Sequence, residues 1–211
     1  MVFALLTLAP SAAAAPKAAP AQSHAHGDSL GGWLVRYWDW LLGHGPNGGN
    51  GLTFLPLPAG DWVSGSFTVE DPGVLVGETE VTIKPGQSFM LPLAVWLGEF
   101  YADGSEDASV PDSSMNLSEI LMTIDGHTVA AKASGVASPL YVPVTRMPEP
   151  IIYDEPTSYG SIGAAYVQGF AMVHGPLTPG RHVMKLHATL FAENYGLGAV
   201  YENTWIINVR K

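Results

Sequence analysis

From Ala165 to Phe191 the chain reads AYVQGFAMVHGPLTPGRHVMKLHATLF, and Val200 to Val209 follows as a further apolar run. Tyr166–Val173 and His182–Phe191 have the length and the β-branched and aromatic content of strands. Between them, His174 to Gly180 holds prolines that fix φ and glycines that permit a turn, so the segment predicts a hairpin. In His182–Phe191, Val183, Lys185, His187 and Thr189 alternate with Met184, Leu186, Ala188 and Leu190, which gives one half-polar and one oily face. A sheet with one oily face must bury it against a second layer, and the rest of the chain must supply that layer.

The upstream sequence supplies it as strands separated by turn signals at short intervals. Leu52–Leu57, Trp62–Val69, Gly73–Ile83 and Ser88–Leu97 are predicted strands, punctuated by Asp71-Pro72-Gly73 and Lys84-Pro85-Gly86-Gln87. Leu117–Ile124 and His127–Ala131 flank Asp125-Gly126, a two-residue hairpin signal, and Leu140–Val144 is a further strand. Met147 to Tyr159, with three prolines, predicts an extended surface loop. The one helical pattern is Ser29–Leu42, with Asp28 or Ser29 as N-cap and Gly43 at the position after the C-cap. Leu30, Trp33, Leu34, Tyr37, Trp40 and Leu41 share one face of it, Trp38 lies at the margin, and Arg36 and Asp39 lie opposite. The expected fold is all-β: a single-domain antiparallel β-sandwich of jelly-roll or immunoglobulin-like kind, with one N-terminal amphipathic helix as a lid. The expected core is Trp33, Tyr37, Trp40, Leu41, Phe67, Val81, Ile83, Phe89, Leu91, Leu93, Leu121, Ile124, Phe170, Met172, Met184, Leu186, Leu190, Trp205 and Ile207.

The first residues have a different character. Val2–Leu8 is apolar, an alanine run follows, and Ala19-Pro20-Ala21 has the small residues of an export cleavage site before Gln22, although no basic residue precedes the apolar run. The reading is a signal peptide over residues 1–21, a flexible His-containing linker over 22–28, and a domain over 29–211 in an exported protein of the periplasm, cell surface or extracellular space. No apolar stretch approaches the roughly 20 residues needed to span a bilayer as a helix, so no membrane insertion is expected. There is no cysteine, which removes disulfides, thiol nucleophiles and thiolate metal sites. The formal net charge is −10, which argues against nucleic acid and favours neutral or cationic small molecules or a polysaccharide as partners.

Several of these pieces occur together in a recognisable order: Trp33, Trp38 and Trp40 on the helix, the strand–turn–strand unit Val81 to Leu93, Ile124-Asp125-Gly126, Gly169-Phe170-Ala171-Met172, and Pro176 to His182. They resemble a group of uncharacterised exported bacterial β-sandwich proteins with a Trp-rich N-terminal helix. The resemblance covers most of the chain from Leu30 onward, implies an exported β-sandwich, and lends no catalytic residue. Members of that group usually have cysteines in the loop after the helix, where this chain has Gly49-Asn50-Gly51, so no function tied to those cysteines carries over.

Glu99 to Asp112, EFYADGSEDASVPD, is rich in acids and carries no base, and it predicts a long loop of the kind that bears function. Asp103, Ser105 and Asp107 have the alternate spacing that can aim oxygens at one calcium ion. An EF-type loop beginning at Asp103 would need glycine at Ala108 and glutamate at Ser114, so only an irregular calcium site fits. Cleavage after Ala21 would expose Gln22-Ser23-His24, whose amine, backbone nitrogens and imidazole can close a square around copper, with His26 as an added ligand. His174 could approach His182 across the hairpin end as a paired metal site. Glu99, Tyr101 and Trp38 are the candidate organic-ligand contacts. Ser161 has Gly163 at +2 but Tyr159 at −2, so the α/β-hydrolase elbow is not written. The leading reading is an exported non-catalytic binding or structural module, with a cation such as calcium in the acidic loop. The alternatives are an extracellular hydrolase or lyase acting on a polymer or ester, with Glu99, Asp103, Glu106, Asp154 and Glu155 as available carboxylates, and a periplasmic copper-binding protein.

Overall fold

The structure is a computed structural model that describes residues 18, 19 and 24–211. The rest of the expected signal peptide, with Gln22 and Ser23, lies outside the described residues. Helix α1 (Leu30–Leu41) is followed by β1 (Leu52–Phe54), β2 (Ala59–Ser64), β3 (Gly73–Ile83), β4 (Ser88–Tyr101), the short helix α2 (Asp112–Leu117), β5 (Ile120–Ile124) and β6 (His127–Lys132). Then come β7 (Tyr141–Ile152), β8 (Ser161–His174), β9 (Gly180–Ala192) and β10 (Leu197–Val209). A four-stranded sheet of order β1-β4-β8-β7 packs on a six-stranded sheet of order β2-β3-β10-β9-β5-β6. This is the all-β sandwich with one N-terminal helix that the strand spacing predicts.

Most neighbours are antiparallel, but β1 runs parallel to β4 and β10 parallel to β3. The pairing of β10 with β3 follows from position: β10 leaves β9 through a tight antiparallel connection and enters the sheet between β9 and β3. Strand composition carries no information about such direction.

The segment from His174 to Gly180 does reverse the chain, yet it does not close a hairpin. β8 pairs with β4 and β7 in the four-stranded sheet, whereas β9 pairs with β5 and β10 in the other. The link therefore crosses the sandwich. Proline and glycine dictate a turn, and whether the two flanking strands bond to each other depends on what else competes for their edges.

β8 is buried almost from end to end because both its faces are covered. Phe170 and Met172 enter the core between the sheets with Phe89, Leu91, Met184, Leu186, Trp205 and Ile207. Val167, Ala171 and Val173 face outward and pack beneath α1 with Trp33, Leu34 and Tyr37. The helix begins where Ser29 Oγ accepts the Gly32 N–H at 3.0 Å, and it ends before Gly43, whose φ of +87° is the left-handed conformation that glycine tolerates. The expected core is corrected at two positions. Phe67 is 39% exposed and Leu121 45% exposed. Leu121 fails because Ile120, Met122 and Ile124 take the inward face of β5, which leaves it pointing out. Trp40, Leu41 and Val81 are only partly buried.

Two boundaries move in ways that matter for function. β4 runs through Tyr101 rather than ending near Leu97, so Glu99 and Tyr101 lie on a strand and not in a loop. β7 extends to Ile152 through Pro143, Pro148 and Pro150, which an edge strand admits because one side needs no amide donor. Residues 24–28, expected as linker, include a 3-10 turn at Ala25–Gly27. Trp33 Nε1 donates to Ala25 O at 2.7 Å and Asn50 Nδ2 to His26 O at 3.3 Å. Ala19 N–H donates to Val173 O at 2.9 Å, so a residue of the expected signal peptide contacts β8.

Candidate functional site

A cleft of about 570 Å³ opens at one end of the sandwich, between the two sheets. Trp96, Glu99 and Tyr101 of β4 form one wall; Tyr195, in the turn between β9 and β10, and Tyr201 of β10 form the other; Tyr159, Asp107 and Phe67 close its rim. Trp96 and Tyr195 stack across it at 4.8 Å with planes 26° apart. In a regular strand Trp96 and Glu99, three residues apart, would face opposite sides. The pairing of β4 with β8 slips between Gly98 and Glu99, which resets the alternation and brings both to the same cleft. Gly98 is required there, because a Cβ would lie 2.0 Å from the Tyr166 ring.

The polar groups of the cleft hold one another. Glu99, 8% exposed, accepts the Tyr153 hydroxyl at 2.8 Å. Asp107 accepts the Tyr101 hydroxyl at 3.0 Å on Oδ1 and the Glu99 N–H at 3.1 Å on Oδ2. Burial first, and then the hydrogen bond and charge of Asp107, push the Tyr101 phenol up to about 12. Burial pushes Tyr166 up to about 12 as well and raises Tyr195 and Tyr201, while burial followed by Glu99 raises Tyr153 and Tyr159. The tyrosines therefore stay protonated as donors. Glu99 also borders a second recess of about 430 Å³ with His44, Tyr153, Asp154 and Glu155.

The acidic loop is anchored rather than free. Gln168, buried on β8, donates to Val110 O at 2.7 Å and accepts the Val110 N–H at 3.1 Å, while Tyr195 donates to Ala108 O at 2.7 Å. Glu106 forms a two-pronged ion pair with Arg146 at 2.8 and 3.2 Å. The D-x-S-x-D spacing divides between two tasks. Asp103 Oδ1 accepts both the N–H and the hydroxyl of Ser105, at 2.9 and 2.6 Å, closing the loop tip, whereas Asp107 turns back onto β4. Among the described residues no group of three or more histidine, aspartate or glutamate side chains is placed to hold a metal ion.

Other expected contacts lie elsewhere. Trp38 is half-buried on α1, meets Tyr37 edge-on at 6.1 Å, and does not border the cleft. His24 is exposed at φ +44°, and His26 Nδ1 lies 3.0 Å from Asn50 O. His182 has both ring nitrogens engaged, by Asp125 at 2.7 Å and Thr178 O at 2.8 Å, so no His174–His182 pair forms. Ser161 is fully buried, with its hydroxyl donating to Gly163 O at 3.3 Å.

Of the residues that line the cleft, the sequence points to Glu99 and Tyr101 as organic-ligand contacts and to Asp107 as a calcium ligand, and it does not single out Trp96, Tyr159, Tyr195 or Tyr201. The available signal was aromatic residues at strand ends and in connections, at Tyr101, Tyr153, Tyr159 and Tyr195. Turn-associated rings are the ones that converge at one end of a sandwich.

No protein-family profile matches the chain, and no curated protein does. Among the described residues no helix is long and apolar enough to cross a membrane. A search of solved structures finds a likeness to "Drosophila OTK, extracellular domains 3-5", at 13% identity and a TM-score of 0.29 over 74% of this chain and 38% of that one. A likeness that weak bears on neither fold nor function, and the architecture rests on the sheet order and the two packed layers themselves.

Proposed function

We propose that this protein is an exported, non-catalytic binding module that holds a small organic ligand in the aromatic cleft at the end of the sandwich. The observation that carries the reading is the convergence of six aromatic side chains, Phe67 at the rim among them, and two carboxylates on one cleft of about 570 Å³, a size and composition that suit small-molecule sites. Trp96, Tyr101, Tyr159, Tyr195 and Tyr201 supply flat apolar surface, and Glu99 and Asp107 supply acceptors that fix orientation. Binding is favoured over turnover because Glu99 and Asp107 are held by tyrosine hydroxyls and backbone, and among the described residues no serine, threonine, lysine or histidine lines the cleft to act as nucleophile or base. The export element of the proposal rests on the small-residue site at Ala19–Ala21.

The test is a thermal-shift screen of neutral sugars, polyols and amines, followed by calorimetry on each hit with wild-type protein, Trp96→Ala, and Lys84→Ala as a control in a distant turn. The expected result is saturable binding that Trp96→Ala abolishes, Lys84→Ala leaves intact, and product analysis finds chemically unchanged. Hits indifferent to Trp96, or a ligand that is consumed, would sink the proposal.

A further inference from the structure

We infer that the ligand of this cleft is an organic cation, an amine or quaternary ammonium group carried on a small apolar body; the inference rests on the binding reading above. Among the described residues, the cleft lining contains two carboxylates and no lysine, arginine or histidine. Among the described residues neither Glu99 nor Asp107 forms an ion pair, and the nearby guanidinium of Arg146 is engaged with Glu106. Glu99 is more than nine-tenths buried, and a carboxylate withdrawn from water lowers its free energy most by gaining a positive partner. Tyrosine hydroxyls orient these carboxylates without neutralising them.

The rest of the wall selects the kind of cation. Calcium asks for six to eight oxygen ligands, whereas this cleft offers mainly ring faces. Ring faces attract a soft, weakly hydrated ammonium through their negative quadrupole, to about 6 Å from the centroid, and the effect grows as water is excluded. The Trp96–Tyr195 stack presents such faces, and Tyr101, Tyr159 and Tyr201 surround the same volume. Because their phenols are raised, none of these tyrosines ionises near neutrality to alter the balance. A neutral sugar could stack on the rings and donate to the acids, but it would leave both negative charges uncompensated.

The experiment is calorimetry on the full chain with choline, tetramethylammonium and butylamine as cations, 3,3-dimethylbutanol as the uncharged counterpart of choline, glucose as a neutral sugar, and calcium chloride as an inorganic cation. Wild-type protein is compared with Glu99→Gln and Tyr195→Ala, each checked for a cooperative melt. The expected result is that choline binds about tenfold or more tighter than 3,3-dimethylbutanol, that Glu99→Gln removes that preference, and that Tyr195→Ala weakens the cation while Glu99 remains in place. Should Glu99→Gln fail to fold, the choline-to-dimethylbutanol ratio in wild type and the Tyr195→Ala result decide the question. Equal binding of choline and dimethylbutanol, glucose in place of both, or calcium displacing choline, with binding still lost in Tyr195→Ala, would overturn the cation and leave the cleft as a binding site. Binding of no probe, or binding indifferent to Tyr195, would overturn the inference together with the binding reading.

Discussion

Two groups of aromatic side chains lie on opposite sides of β4, built from the same residue types and put to different ends. Beneath α1, Trp33 and Tyr37 meet Phe54 edge-on at 6.1 and 5.5 Å, Trp40 meets it at 5.6 Å with planes 44° apart, and Trp33 and Tyr37 are 1% and 0% exposed. Their polar tips end on backbone carbonyls: Trp33 Nε1 donates to Ala25 O and the Tyr37 hydroxyl to Leu55 O at 2.8 Å. At the end of the sandwich, Trp96 and Tyr195 stack face to face, and the neighbouring tyrosine hydroxyls end on Asp107 and Glu99. A ring whose polar atom is satisfied by backbone under a covering layer is core. A ring beside carboxylates with no layer above it is a wall.

The sharpest way to break that contrast is to truncate a ring on each side. Trp33→Ala should cost about 3–5 kcal/mol in urea unfolding, since it empties a fully covered site. Tyr37→Phe should cost about 1–3 kcal/mol, because the Leu55 carbonyl is left buried without its donor. Tyr195→Ala, by contrast, should cost less, about 1–3 kcal/mol for the stacked pair and the hydrogen bond to Ala108 O together, yet it should weaken ligand binding. If Tyr195→Ala destabilises as much as Trp33→Ala, the cleft is core after all and the distinction falls.

A control lies outside both groups, in the turn between β5 and β6, where Asp125 accepts from His182 at 2.7 Å and from the Val183 N–H at 2.8 Å. His182 is raised above its ordinary 6.5 by the Asp125 hydrogen bond and charge and by Thr178 O, which outweigh desolvation. Its contribution is full below 6.5 and fades as pH rises through the folded value. Asp125 is lowered below its ordinary 3.8 by Val183 N–H and His182 against desolvation, so its contribution is present above 3.8 and fades as pH falls. The stability difference between wild type and Asp125→Asn should therefore be greatest between pH 3.8 and 6.5. It should stay under about 1 kcal/mol, because the Asp125 carboxylate is half exposed. Urea titrations across pH check it, and a difference that grows above pH 8 would contradict the pairing. The smallest effect is expected at the loop tip: Asp103→Ala removes only the bonds to Ser105 and should leave both the melting temperature and cleft binding unchanged.

Local chemistry was enough to locate α1, with Ser29 as its N-cap and Gly43 beyond its end, because capping and helical periodicity act within a few residues. The same is true of the Asp125-Gly126 turn, whose φ values of +51° and +78° these two residues accept more readily than most, and of β3, whose limits match the turn signals at Asp71-Pro72 and Lys84-Pro85. The candidate site was half legible. Glu99, Tyr101 and Asp107 stand out as acids and an aromatic in an acidic stretch, but their reading as loop residues was wrong for the first two, since β4 continues through them. Trp96 and Tyr201 were not legible at all. One reaches the cleft only through a slip of β4 against β8, and the other only because β10 inserts beside β3.

By itself, then, the sequence determined the turns, the helix with its caps, the oily faces and the all-β class, because each depends on backbone preferences and periodicities that neighbouring residues settle among themselves. The tertiary structure alone decided that β8 and β9 belong to different sheets, that β10 runs parallel to β3, and that rings from β4, β10 and two connections meet around Glu99. Those outcomes depend on which edges and faces remain open once every strand is placed, and that competition involves the whole chain at once.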